Sequence, residues 1–130
     1  MNPLEMQDII RRVCLKNNIN CKVKIKWLYR SPMGYRYKEN TIHVNPDRCI
    51  RMAYKMRMNI EEFLTFATYH EIGHYLYYLN FLSSRSDSKI EREIAAWKIS
   101  RDLVPESIIT AYDEFNRINL ESYRKKEVGI

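Results

Sequence analysis

A chain of 130 residues can bury one core but hardly two, so residues 1–130 are expected to fold as a single domain. Its 45% hydrophobic and 29% charged residues exclude a disordered or fibrous chain. The net charge of +6 is lopsided, with 13 Lys and Arg against 4 Asp and Glu in residues 1–58, and 9 against 12 in residues 59–130. The basic residues are spread rather than clustered, which favours a solvated face or an acidic protein partner; contact with nucleic acid is possible but not favoured.

The amino terminus, Met1 to Asp8, has neither the charged start nor the apolar run of a signal peptide. No stretch reads as a membrane anchor, and a cytoplasmic protein is expected. Asn2-Pro3 opens a first helix with Glu5 three residues after the cap, and Met6, Ile9, Ile10, Val13 and Cys14 repeat at helical spacing up to Asn17-Asn18. The period then changes. Val23, Ile25, Trp27 and Tyr29 alternate with Lys22, Lys24, Lys26 and Leu28, predicting a half-buried strand. Ser31-Pro32-Met33-Gly34 reads as a turn, and strands are expected over Tyr35–Lys38 and Thr41–Val44. Cys14, Cys21 and Cys49 are odd in number and lack a C-x-x-C spacing; they read as reduced thiols, with a Cys14–Cys21 bridge the alternative.

Asn45-Pro46-Asp47 caps a short helix running through Met52, Ala53 and Met56. Asn59 caps a long one, with Glu62 in capping-box position. Between Phe63 and Asn80 the only acidic or basic side chain is Glu71, so the long helix reads as buried almost all round. It carries His70-Glu71-Ile72-Gly73-His74. Residues four apart share one helix face, so His70 and His74 can offer two nitrogens to one ion at about 2.0–2.1 Å. Glu71 stands where a carboxylate can hold the water beside that ion, which is the mechanical content of H-E-x-x-H. A core helix holding two histidines by chance is the bland alternative.

The polar run Ser83 to Ser88 is the expected mobile loop. A helix follows over Lys89–Val104, with Ile94, Ala95, Ala96, Trp97, Ile99, Ser100 and Leu103 expected inside. Pro105 ends it, and two shorter helical stretches, Ser107–Phe115 and Leu120–Glu127, complete an α+β chain. The expected fold is a small antiparallel or mixed three-stranded sheet packed on the long helix and the one after it, with extra C-terminal helices.

A catalytic zinc needs a third protein ligand. Tyr77 and Asn80 occupy the positions where a metzincin would carry glycine and histidine, so that class is excluded. His43 is an outside candidate; Glu91 and Glu93 on the following helix are better ones. Ser88-x-x-Glu91 is a capping box that gives Glu91 a structural task, whereas Glu93 shares a face with Ala96, Ser100 and Leu103. Local chemistry therefore favours Glu93.

The strand end Ile42-His43-Val44-Asn45, the H-E-x-G-H at His70–His74, and Glu93-Ile-Ala-Ala96 with Ser100 and Leu103-Val-Pro105 together make the stretch from Trp27 to Pro105 similar to the ImmA/IrrE family. This is a group of small zinc-dependent metallopeptidase domains within the gluzincins. The resemblance implies His70, His74 and Glu93 as Zn2+ ligands and Glu71 as general base. It also implies a protein substrate, such as a transcriptional repressor. One departure stands out. The family usually carries Asn or Asp four residues after its glutamate ligand, where this chain has Trp97 (or Ala95, counting from Glu91), so a histidine-orienting group is expected from elsewhere, such as a backbone carbonyl. Strand Thr41–Val44 is expected to pair with substrate, and Tyr69, Tyr77, Tyr78 and His43 are the unranked candidates for an oxyanion donor. The rival reading is a non-catalytic, zinc-stabilised module that binds a partner protein or DNA.

Overall fold

The computed structural model describes residues 1–81 and 88–127. The expected mobile loop therefore lies, apart from Ser88, outside the described residues. The elements in order are α1 (Pro3–Lys16), β1 (Lys22–Ile25), β2 (Met33–Arg36), β3 (Thr41–Val44), α2 (Pro46–Lys55), α3 (Ile60–Phe81), α4 (Lys89–Arg101), a 3-10 turn (Glu106–Ile108) and α5 (Ile109–Glu127). This is the expected α+β arrangement, and the sheet is the mixed variant. β3 lies in the middle, parallel to β1 and antiparallel to β2.

The helix starts follow their caps. Asn2 and Glu5 form a complete capping box on α1, and Asn45 accepts the Arg48 N–H at the start of α2. Asn59 Oδ1 accepts the Glu62 N–H at 2.7 Å and opens α3. α3 is the axis of the fold, packed by α1, α2, α4, α5 and β2. Its Leu64 and Ile72 are fully buried with Met6 and Ile10 of α1, Ile42 and Val44 of β3 and Tyr112 of α5. Among the described residues no helix is long and apolar enough to cross a membrane.

Four local expectations are corrected. β1 stops at Ile25, because the buried Asn45 amide donates to the carbonyls of both Trp27 and Tyr29 and folds that segment into a turn. Trp27 and Leu28 are consequently exposed. β2 begins at Met33 rather than Tyr35. The hairpin turns over Tyr37–Asn40, where Asn40 takes the left-handed conformation (φ 49°) that asparagine tolerates, so Met33 and Gly34 are strand residues. α4 ends at Arg101 and leaves Leu103 half-exposed, with Val104 buried instead. The two C-terminal stretches are one helix, α5. Asn116 and Asn119, which fall between the two expected stretches, bond back to the carbonyls of Tyr112 and Phe115 within the continuous helix. Cys14, Cys21 and Cys49 are free thiols; the Cys14 and Cys21 sulfurs are 4.0 Å apart, so no bridge forms.

Candidate metal centre

Two helices bring the polar cluster together. His70 and His74 project from the same face of α3, and α4 crosses close against it. The closeness depends on Gly73: a β-carbon there would meet the Ala96 carbonyl oxygen at 2.1 Å. Ala96 and Ser100 are fully buried along this contact. The Ser88–Glu91 capping box is complete, and it commits Glu91 to the start of α4. Glu93, half a turn further, faces the histidines.

Glu93 Oε2 lies 3.3 Å from His70 Nε2 and is in direct contact with His74 Nε2. One ligand atom from each residue falls within 4.8 Å of the others, the one such grouping among the described residues. Their side chains are only 14%, 14% and 10% exposed. His43, the outside candidate, is not part of it. It is buried in β3, 3.2 Å from Glu39 and edge-on to Tyr29.

The donor set fits a divalent ion. Two ligands about 2.0–2.1 Å from a tetrahedral zinc lie about 3.3–3.4 Å apart; His70 and Glu93 stand at that separation, whereas His74 and Glu93 are closer and must part to admit an ion. The tautomer also fits. Asn116 Nδ2 donates to the Tyr112 carbonyl, so its Oδ1 faces His70 Nδ1 at 2.7 Å and requires a proton there. His70 Nε2 is thereby left with a lone pair aimed at a carboxylate, and two acceptors so close call for a cation between them. In its absence protons serve. Burial alone would lower the His70 pKa, but the Glu93 carboxylate outweighs it and holds the imidazole up at about 9. Burial opposes ionisation of Glu93, yet hydrogen bonds from His70 and His74 keep its carboxyl well below the usual carboxylate range.

The orienting group expected from elsewhere in the chain is not a backbone carbonyl but the side chain of Asn116 on α5. Trp97, at the departed position, donates its indole N–H to Asp113, which also holds Arg101 through two nitrogens. These bonds fasten α5 to α4, and Asn116 lies one turn beyond Asp113. Sequence reasoning missed it, although an asparagine amid Tyr112, Phe115 and Leu120 on a helix is the kind of polar group that a buried site requires.

Glu71 is 8% exposed beside the cluster. Burial pushes its pKa up, His74 and His70 pull it back, and Glu93 adds to the rise. Its Oε1 accepts the Tyr35 N–H of β2 at 2.9 Å. The Asn45–Pro32 bond and the strand register put the backbone groups of Met33 and Tyr35 on the outer edge of β2. That edge borders the site. The expected substrate strand, Thr41–Val44, is instead the central strand with both sides already paired, so it has no edge to offer.

Cavities open on both sides of the cluster. One, of about 230 Å³ on the His70 side, is lined by Met33, Met52, Phe63, Ala67 and Phe115 together with Arg30 and Arg48. The other, of about 190 Å³ on the His74 side, carries Tyr29, Tyr35, Tyr78 and Arg92. Tyr123 of α5 lines both, its hydroxyl kept protonated by burial and by the nearby Glu93 carboxylate, and has Lys89 Nζ 4.9 Å over its ring. Of the expected oxyanion donors, Tyr69 and Tyr77 are buried at 3% and 2% exposure, and Tyr78 alone reaches a cavity at the cluster.

Comparison with protein-family models, with curated proteins and with solved structures gives no match to this chain. What the chain holds is a zincin-like cluster, His70, His74 and Glu93 with Glu71 alongside, in a compact α+β frame.

Proposed function

We propose that residues 1–130 act as one metallopeptidase-like domain: a zinc-dependent endopeptidase of the H-E-x-x-H type, akin to the ImmA/IrrE family, that cleaves a regulatory protein such as a repressor in the cytoplasm. The observation that carries this reading is the convergence of His70, His74 and Glu93 ligand atoms beside a buried Glu71 at the floor of two cavities. His70 Nε2, His74 Nε2 and Glu93 Oε2 would hold the ion. Zinc there supplies a water acidified to a pKa of about 7 and polarises the scissile carbonyl.

The remaining work falls to the chain. The outer edge of β2 aligns an extended substrate through main-chain bonds. Glu71, with Oε1 tied to the Tyr35 N–H, uses Oε2 to take a proton from the attacking water and passes it to the leaving amine. Tyr123 donates its hydroxyl to the tetrahedral oxyanion from its place between the cavities. The contact of Asn116 with His70 weighs against a non-catalytic module, because that rival drew on a missing orienting group.

The test compares wild type with Glu71→Gln on candidate repressors, following fragments by mass spectrometry. Proton transfer by a placed side chain is worth on the order of 10²–10⁴ in rate, so cleavage by the variant should all but vanish while zinc content holds. A chelator should abolish the wild-type reaction and zinc restore it. Equal cleavage by both proteins refutes Glu71 as the base.

A further inference from the structure

The cavity on the His70 side joins two features that the cleavage chemistry does not use. Part of its wall is apolar, formed by side chains from β2, α2, α3 and α5, including Met33, Met52, Phe63 and Phe115. Its lining also holds Arg30, from the segment before β2, and Arg48 of α2, both exposed. Among the described residues neither guanidinium is in an ion pair, unlike Arg101 and Arg117, which are bonded to Asp113 and Glu114. Among the described residues the carboxylates lining the cavity are Glu71 and Glu93, both at the histidine end and engaged there. Two guanidinium groups with no ion-pair partner among the described residues thus flank a hole with an apolar wall that opens beside the outer edge of β2.

We infer that this cavity takes one large apolar side chain of an extended peptide, and that Arg30 and Arg48 grip an acidic side chain next to it. The occupant is thus an acidic, aliphatic or aromatic peptide segment. A hole of about 230 Å³ suits one such side chain rather than a cofactor. Guanidinium forks match carboxylates in geometry as well as charge. The inference rests on the peptidase reading for why a peptide comes here, and it deepens that reading by naming the substrate class.

The test uses binding, so that it does not depend on catalysis. Rhodamine-labelled peptides, blocked at both ends so that no terminal carboxylate remains, carry one leucine followed by two glutamates, two lysines or two glutamines. Their affinity for zinc-loaded Glu71→Gln protein is read by fluorescence anisotropy. The glutamate peptide should bind on the order of tenfold tighter than the lysine peptide, as expected for one charge-assisted contact. Replacing its leucine by glycine should weaken it. Arg30→Glu with Arg48→Glu should invert the charge preference at unchanged zinc content, whereas Lys22→Glu with Lys24→Glu, on exposed positions of β1, should leave it intact. Equal affinities, or a preference that survives reversal of Arg30 and Arg48, would overturn the inference. So would selective gripping of a glutamine peptide with a free carboxyl terminus, or displacement of the acidic peptide by short single-stranded DNA that binds tighter. Wild-type protein is then given the same peptides. Gripping the glutamate peptide without cutting it refutes the peptidase and leaves this inference standing; cutting all three alike does the reverse.

Discussion

Gly73 and Ala96 are in backbone contact: a methyl group on Gly73 would stand 2.1 Å from the Ala96 carbonyl oxygen and 2.7 Å from its carbon. Backbone cannot swing aside as the end of a side chain can. The glycine of H-E-x-G-H therefore sets how near α4 comes to α3, and Glu93 is three residues before Ala96 on the helix that would have to retreat.

Gly73→Ala should be costly for that reason, although alanine is the better helix former by about 1 kcal/mol. We expect a net loss of about 1–3 kcal/mol from overpacking in chemical denaturation, and zinc affinity at least about tenfold weaker because Glu93 retreats with its helix. Unchanged zinc affinity would show that the helix spacing does not govern the cluster.

Zinc affinity should also rank the glutamates and the orienting asparagine. Glu93→Gln removes a charged donor and should weaken binding more than tenfold, whereas Glu91→Gln loses part of a helix cap, about 0.5–2 kcal/mol of stability. Asn116→Leu leaves the His70 Nδ1–H buried without its acceptor, and loss of such a partner costs about 10–100-fold in metal affinity. A competition titration with a chromogenic chelator reads all three. A larger effect for Glu91 than for Glu93 would contradict the geometry.

Protons compete with the metal. His70 in the metal-free protein holds its proton up to a pKa of about 9, so at neutral pH zinc must displace it. Zinc affinity should thus rise with pH until about 9, with about one proton released per ion, measurable by calorimetry in buffers of different ionisation heats. The sign reverses for the stability of the metal-free fold. The folded pKa of His70 is above its ordinary value of 6.5, so its contribution is complete below 6.5 and disappears as pH rises through 9. Glu93 is depressed below its ordinary value of 4.5, so its contribution is present above 4.5 and is lost on acidification. Metal-free protein should be most resistant to urea between those limits, near pH 5–6.

Tyr123→Phe removes a hydroxyl and nothing else. If that hydroxyl meets the oxyanion, kcat should fall by about 10²–10³ with KM little changed. Zinc content should hold, since Tyr123 contributes no ligand atom to the cluster. A rise in KM alone would make it a binding residue.

The long-range parts of the site were the illegible ones. His70, Glu71 and His74 lie within one turn of one helix, and the capping logic of Ser88 separated Glu91 from Glu93 without any knowledge of the fold. Asn116 bonds to a residue 46 positions away and Tyr123 shares both cavities with Glu93, 30 positions before it, and no local pattern joins them. The same reason explains the strands. Alternation carried β1 on to Tyr29, but one buried amide, Asn45, captures two carbonyls and bends the chain first. Thr41–Val44 looked like a substrate partner because it precedes the helix that carries His70 and His74; strand order, a tertiary property, made it the middle strand.

The span of the cluster has a further consequence. An ion gripped by His70 and Glu93 closes a loop of 23 residues between two helices, as a disulfide would, and closing such a loop removes freedom from the unfolded chain. The three cysteines form no such link. Zinc would then be the molecule's one covalent-like brace among the described residues, and one that can be withdrawn. Starving the protein of metal would empty the cluster and slacken the fold in the same step, so whatever work the site performs would carry its own off switch.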